Sequence, residues 1–471
     1  MAFSKRIISL VVVAIMVTAL AACGGNNAPP ADGGSGTSGG GGGGGTTTTT
    51  NNAPADSGDA VGGTVSILTW TNPSAVAWLR GLAERLEAEA GITLEISDID
   101  SNNHPATRQT RLMANDIDIV TFEGGFLRPN EPWNEAMRDE PAWQTFVEAG
   151  LFHDISDYPF VDNFIKDLVY DAYGHNGRLY GLMAGSIPLN GVFYNITRFE
   201  ELGLSVPGVW DEFVALCEAI RAAGFQPITN GAGDGWPLNM FTGLIANNYY
   251  LDQAHEISKA LFLGEKSFTD PDILPLYRMR EQFASFMEPG VTGIPYSDVY
   301  GRFANETALM LADGSWAAGD VAAANPSFEW AYFPLPGPTP RADGLPHQMA
   351  AKYDFAMVVA ENAPNRDGAL AVLEFFSQPD EYVKFTNEVG FYPTQPNVNH
   401  TNDFLRTMDV YMQKPSQEFG AFVPKGVGEY GANGGANLFL LSVLGGPFTY
   451  EQLAAAAQED WDDARAAFAA G

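Results

Sequence analysis

With only two cysteines in 471 residues, the chain has no disulfide framework. Cys217 stands alone in a helical pattern and reads as a small buried hydrophobe. Positive charge is scarce: 25 Lys and Arg face 57 Asp and Glu, for a net charge of −32. Phosphate binding needs Lys and Arg, so nucleic acid and anionic lipid are excluded as partners. The six histidines are scattered without the spacing of a metal site. There is no nucleophile elbow, no Ser-His-Asp order and no phosphate-cradling loop. We therefore expect no metal, no cofactor and no catalytic residues.

What the chain does contain begins at its N-terminus. Lys5 and Arg6 precede an apolar run, Ile7 to Ala19, too short to span a bilayer and of the length of a signal h-region. The run ends in Leu20-Ala21-Ala22-Cys23-Gly24, which resembles a bacterial lipobox. Residues 1–23 are then a lipoprotein signal peptide, with cleavage before Cys23 and lipid on its thiol; the alternative is an ordinary signal peptide that happens to hold a Cys. Residues 24–63 are Gly, Thr, Asn, Ala and Pro with little charge or bulk, a composition that predicts a flexible tether. The body from residue 64 to 471 is long enough for two lobes.

Thr64 to Thr69 is β-branched and apolar, a buried strand. Ser74 is then expected to cap a helix that ends before Gly91 and carries Leu79, Leu82 and Leu86 on one face. A second strand, Ile92 to Ile96, completes a βαβ opening, which places ligands at the carboxyl ends of parallel strands. Trp70 and Asn72 lie at such an end. Glu123, ahead of two glycines, follows another strand ending at Phe122, and reads equally as a ligand contact or an exposed loop carboxylate. Trp236 falls in a glycine-rich loop rather than in a periodic pattern.

The stretch Gly301 to Asp320 is the most informative. Ala308 to Ala312 is a short buried strand, Asp313-Gly314-Ser315 a turn, and Trp316 follows at once. Such a turn offers one indole to a cleft, where flat apolar area suits the C–H face of a sugar ring; a core Trp under a loop is the other reading. Tyr353 and Asp354, with Lys352, enter a strand over Ala350 to Ala360 and suggest either a cleft edge or an ordinary strand start. A last amphipathic helix, capped by Thr449, has Leu453, Ala457, Trp461, Ala464 and Phe468 at core spacing.

In this order, several segments resemble the extracellular solute-binding proteins of ABC importers, the sugar-binding family that includes maltose-binding protein. The carriers are Leu68-Thr69-Trp70-Thr71, Asp118-Ile119-Val120, Val192-Phe193-Tyr194-Asn195 and Phe199-Glu200-Glu201-Leu202-Gly203-Leu204. Trp210-Asp211-Glu212-Phe213, Ala308 to Trp316, and Glu388-Val389-Gly390-Phe391-Tyr392-Pro393-Thr394 complete the set. One departure is Val209, where family members often carry Thr or Ser as the helix cap.

The resemblance implies an α/β, two-lobed periplasmic-binding-protein-like fold of type II, with a ligand cleft between lobes joined by hinge crossings. Lobe 1 would be residues 64–190 and 350–393, and lobe 2 residues 191–349 and 394–471. The crossings would fall near Asn190 to Tyr194, before Tyr353 and near Pro393. Trp70, Asn72, Glu123, Tyr353 and Asp354 would face the cleft from lobe 1, and Trp236 and Trp316 from lobe 2. It also implies a monomeric receptor that delivers a sugar or oligosaccharide to ABC permease subunits. The anchor would hold it on the outer face of the cytoplasmic membrane, at the cell surface or in a periplasm. Two alternatives stand beside it: the same fold binding a polyamine, peptide or metal chelate, and a lipid-anchored glycoside hydrolase or lyase using Asp116 with Asp118, or Glu123 with Asp354.

Overall fold

The computed structural model describes residues 62–122, 133, 137, 141–413 and 423–470. The expected signal peptide with Cys23, the tether except Gly62 and Gly63, and the candidate Glu123 lie outside the described residues.

Eleven strands are present among the described residues: β1 (Gly63–Trp70), β2 (Ile92–Ile99), β3 (Ile119–Phe122), β4 (Gly174–His175), β5 (Arg178–Leu179), β6 (Leu182–Leu189), β7 (Gly191–Asn195), β8 (Ile228–Thr229), β9 (Met310–Ala312), β10 (Trp330–Pro334) and β11 (Ala350–Val359). They form two main sheets. The first has the order β2-β1-β3-β11-β6, with β1 parallel to β2 and β3, and β11 antiparallel to both β3 and β6. The second has the order β10-β7-β9-β8. β4 and β5 make a separate hairpin.

Each sheet carries its own core. Val65, Ile67, Leu79, Val120, Leu189, Val358 and Phe385 belong to the first, and Val192, Phe213, Phe283, Leu311, Phe333 and Trp461 to the second. Burial of both faces explains why the second half of β11, Phe355 to Val359, reads as a continuous apolar run. The first helix, Pro73–Ala90, buries Val76, Leu79, Leu82 and Leu86 as one stripe and closes at Gly91 with φ 67°. Its cap is Asn72 rather than the expected Ser74: Asn72 Oδ1 accepts the Ala75 N–H at 3.2 Å, and Pro73 takes the first helical position, where no N–H is needed.

The chain passes between the sheets at three places. β6 runs into β7 through Asn190, fully buried with φ 63°. Asn190 Oδ1 accepts the Ala350 N–H at 2.8 Å and its carbonyl accepts the Leu335 N–H at 2.7 Å, so one residue ties together both ends of the return from β10 to β11. Asn248 Nδ2 donates to the Leu335 and Gln348 carbonyls at 2.8 and 3.0 Å, bracing the same return. At the third crossing Tyr392 exchanges backbone bonds with Ser186, while its hydroxyl donates to the Leu405 carbonyl at 2.9 Å.

Other expectations meet the structure as follows. The helix Trp210–Ala222 begins although Val209 offers no capping side chain. Glu212 instead accepts the Gly208 N–H at 2.7 Å just ahead of it. Cys217 is buried in its core face, and burial pushes its thiol far up. Thr449 and Gln452 form a capping box on the last helix, Tyr450–Ala469, but Phe468 is half exposed, because the helix overruns the core in its final turn. Asp116 and Asp118 do not form a catalytic pair. Asp116 binds Arg111, while the buried Asp118 accepts from Ser66 N, Ser66 Oγ and Asn365 N and ties β1 to the start of the helix Arg366–Ser377.

Candidate functional site

Between the two sheets lies a cleft of about 310 Å³. One wall grows from the end of β9. Past Ala312 the strand becomes the turn Asp313-Gly314-Ser315, and Trp316 follows in a single 3₁₀ turn, Ser315–Ala317. The indole folds back over Gly314 so closely that a Cβ there would stand 1.9 Å from Trp316 Cζ3. The Trp316 Nε1–H donates to the Tyr296 hydroxyl at 2.8 Å, and that hydroxyl donates to Asp313 Oδ1 at 3.2 Å. Asp313 also accepts the Gly314 N–H at 2.8 Å, and its carbonyl accepts the Tyr332 hydroxyl at 2.9 Å. Tyr332 in turn accepts the Gly191 N–H at 3.0 Å, which connects the Trp316 turn to the first crossing.

Burial dominates the electrostatics of this wall. It pushes the Asp313 carboxyl up to about 8, against the backbone bond from Gly314 and the phenol of Tyr296. A carboxyl with that affinity carries its proton at neutral pH, so it adds no charge beneath Trp316. Tyr296 and Tyr300 are likewise held neutral, their phenols pushed far up by burial.

Trp236 stands beside this turn. It opens the helix Trp236–Tyr250 rather than lying in a loop, because Gly235 at φ 80° turns the chain and Pro237 suits the first helical turn. Its ring is 4.7 Å from Tyr296 and 6.3 Å from Trp316, tilted 40° to the latter. Tyr300, 5.7 Å from Tyr296, extends the aromatic wall.

The opposite wall comes from the first sheet. Trp70 ends β1, only 8% exposed, packed at 5.5 Å on Phe355 and 5.8 Å on His104. Lys352 and Asp354, two apart on β11, share one side of the strand and pair at 3.1 Å. Asp354 also accepts the Phe355 N–H at 3.0 Å, and Phe355 holds φ at 57°, a left-handed conformation that an aromatic residue rarely adopts. The Lys352 ammonium lies 5.8 Å from the Trp316 ring centroid, a cation–π contact across the cleft. Met240 and Trp316 are partly buried against both cores.

Of the six expected residues that are described, five line this cleft: Trp70, Asn72, Trp236, Trp316 and Asp354. Asn72 does so with its oxygen already committed to the helix cap. Tyr353 does not, since strand alternation turns it away from Lys352 and Asp354 and against the first core. Tyr296, Tyr300, Asp320 and Lys352 line the cleft and were not among the expected contacts. The Tyr296/Tyr300 spacing of four residues and the Trp316/Asp320 spacing of four residues were signals available in the sequence. Among the described residues no cluster of three His, Cys, Asp or Glu is gathered as a metal would need. A separate hollow of about 420 Å³ beside Pro207 contains none of the expected residues, and its Arg341 is neutralised by Asp343 at 2.7 Å.

Comparison with known proteins bears on what such a cleft holds. The family model described as bacterial extracellular solute-binding protein matches residues 69–383. The multiple sugar-binding protein of Streptococcus mutans serotype c is 32% identical over 204 residues, 41% of this chain and 47% of that relative, so the match spans about half of its length. An uncharacterized ABC transporter extracellular-binding protein of Pyrococcus horikoshii is 24% identical over 311 residues, 62% of this chain and 70% of its own. Among solved structures, the solute-binding protein RafE in complex with raffinose superposes with a TM-score of 0.66 at 20% identity, covering 85% of this chain and 99% of that one. A chitin oligosaccharide binding protein gives 0.67 at 20% identity, over 87% of this chain and 100% of its own. These structural likenesses establish a shared fold: two α/β lobes of the type II solute-binding class, with the cleft between them.

Proposed function

The chain belongs to the bacterial extracellular solute-binding protein family, and from that premise we propose that it binds a sugar or oligosaccharide between its lobes and delivers it intact to an ABC permease. The observation that carries this reading is the cleft-facing indole of Trp316, braced by Tyr296 and angled to Trp236 at 6.3 Å. Two inclined aromatic faces suit the C–H faces of successive sugar rings, and the polar rim of Asn72, Lys352, Asp354 and Asp320 suits their hydroxyls. We assign ligand contact to Trp70, Trp236, Trp316 and Asp354, with Asn72 contributing only its amide N–H₂. Glu123 keeps its proposed role on sequence grounds, and Tyr353 becomes a support of the β11 edge.

Lobe 1 is assigned residues 64–190 and 350–393 and lobe 2 residues 191–349 and 394–471, a division supported by the membership of the two cores. Closure is then a hinge motion about Asn190, the 335–350 return and Tyr392, biased by contacts that a ligand makes with both walls. The chain acts as a monomer held by lipid on Cys23 and by a tether that runs from residue 24 to the start of β1, at the outer face of the cytoplasmic membrane. We read it as a binding protein rather than an enzyme: of the two candidate carboxylate pairs, Asp116 is bound to Arg111 and Asp118 to Ser66 and Asn365, while Asp354 is paired with Lys352 and its partner Glu123 lies outside the described residues.

A second reading, a cationic solute such as a polyamine, is favoured by one observation: the Asp320 carboxylate faces the cleft without a partner among the described residues. Calorimetric titration against a saccharide panel and spermidine separates the two. Heat from a saccharide recovered uncleaved supports the first reading, and heat from spermidine alone replaces it with the second.

A further inference from the structure

Resting on the saccharide reading, we infer that Asp320 makes the cleft a charge filter, open to neutral and amino-bearing saccharides and closed to uronic acids. The inference begins with a count of charge around the cleft. Lys352 and Asp354 face each other at 3.1 Å and cancel. Asp313 lies buried under Trp316 with its carboxyl bonded to Gly314 N–H and Tyr296, and burial keeps it protonated at neutral pH. Tyr296 and Tyr300 stay neutral for the same reason.

Asp320 is different. It sits in the short helix Ala318–Ala323, one turn beyond Trp316, and lines the same cleft. No hydrogen bond or ion pair holds its carboxylate among the described residues, and only desolvation acts on it, pushing it up to about 6. At neutral pH it is therefore mainly ionised, and among the described residues it is the one carboxylate lining the cleft that no cation pairs.

Asp320 lines the cleft beside Trp316 and Trp236, so a carboxylate on a sugar seated against those rings comes close to its charge. Like charges that close in a half-desolvated site repel, whereas a hydroxyl or ammonium donates to the waiting oxygens. The overall charge of −32 acts in the same sense at longer range. A carboxylate left without a protein donor thus rejects one ligand class by repulsion while attracting another.

The test uses the full-length protein and charge-matched probes. Raffinose, stachyose and N,N′-diacetylchitobiose are titrated first, and the tightest binder is then compared with its own C6-oxidised uronate form, for wild type, Asp320→Asn and Asp320→Glu. The wild type is expected to bind the uronate at least tenfold more weakly than the neutral form. Asp320→Asn should shrink that ratio at least threefold, and Asp320→Glu, which restores the charge, should keep it. A uronate bound as well as the neutral form by wild type, or a ratio unchanged in Asp320→Asn at wild-type melting temperature, overturns the inference while leaving saccharide binding intact. Failure of all neutral saccharides to bind wild type overturns the saccharide reading itself, and the inference falls with it.

Discussion

Gly314→Ala adds one carbon where the Trp316 ring already sits. A Cβ at position 314 would stand 1.9, 2.2 and 2.3 Å from Cζ3, Cε3 and Cη2 of the indole. Ordinary contact begins near 3.4 Å, so the ring has to withdraw by about 1.5 Å. That withdrawal stretches the 2.8 Å bond from Trp316 Nε1 to Tyr296 beyond hydrogen-bond reach. The backbone is not the obstacle, since Gly314 at φ −79° and ψ 164° adopts a conformation open to alanine. Displacing a well-packed aromatic contact is expected to weaken ligand binding by ~1–3 kcal/mol, roughly 5- to 150-fold in Kd. The assay is a double-mutant cycle by calorimetry: wild type, Gly314→Ala, Trp316→Ala and the double variant. If the methyl acts only through the indole, the double variant binds no worse than Trp316→Ala alone. Additive losses, or wild-type affinity in Gly314→Ala, would refute the reasoning.

Three further outcomes follow from the same geometry. Asp313, which burial pushes up to about 8, far above the ordinary carboxylate range, contributes stability that is fully present below pH ~4 and is lost as pH rises to its folded value. Wild type should therefore lose stability by roughly 1.4 kcal/mol per pH unit more steeply than Asp313→Asn between pH 5 and 8, and equal slopes in pH-dependent urea melts would contradict this. Tyr382 is fully buried, donates to the Ala184 carbonyl at 2.7 Å and accepts the Thr394 N–H at 2.7 Å. Tyr382→Phe strands both groups and should cost about 1–3 kcal/mol in denaturant unfolding, with a loss under 0.5 kcal/mol counting against the assignment. Gly319 faces Ser74 across the lobes, where a Cβ would meet Ser74 Oγ at 2.4 Å. A rotated serine absorbs Gly319→Ala, but Gly319→Leu should wedge the lobes apart, raising the radius of gyration in solution scattering and weakening binding at an unchanged melting temperature.

Much of the architecture was legible because burial on both faces writes itself into composition. Val65, Ile67 and Leu68 and the run Phe355 to Val359 read as strands for that reason, and the stripe Leu79, Leu82, Leu86 as a helix face. Local rules failed where several compete at one place. Ser74 looked like a cap, yet Asn72 followed by Pro73 is the better start, and this turned a candidate ligand amide into a helix cap. Tyr353 looked equal to its neighbours until pairing with β6 fixed which side of β11 faces the cleft. Trp316 was visible as an indole after a turn, but its brace, Tyr296, comes from a segment 20 residues earlier, and no period links the two. Asp320 was hidden by the abundance of acidic residues. Only its place beside the cleft, with no donor among the described residues, separates it from a solvated carboxylate.

The most direct test of the central claim is titration of wild type and Trp316→Ala with raffinose, stachyose, N,N′-diacetylchitobiose and spermidine, following heat and tryptophan fluorescence together. The account predicts micromolar or tighter binding of a saccharide by wild type, with a fluorescence change, uncleaved sugar recovered, and roughly 5- to 150-fold weaker binding in Trp316→Ala. Binding of spermidine alone, release of cleaved sugar, or a Trp316→Ala variant that binds as tightly as its parent would contradict it.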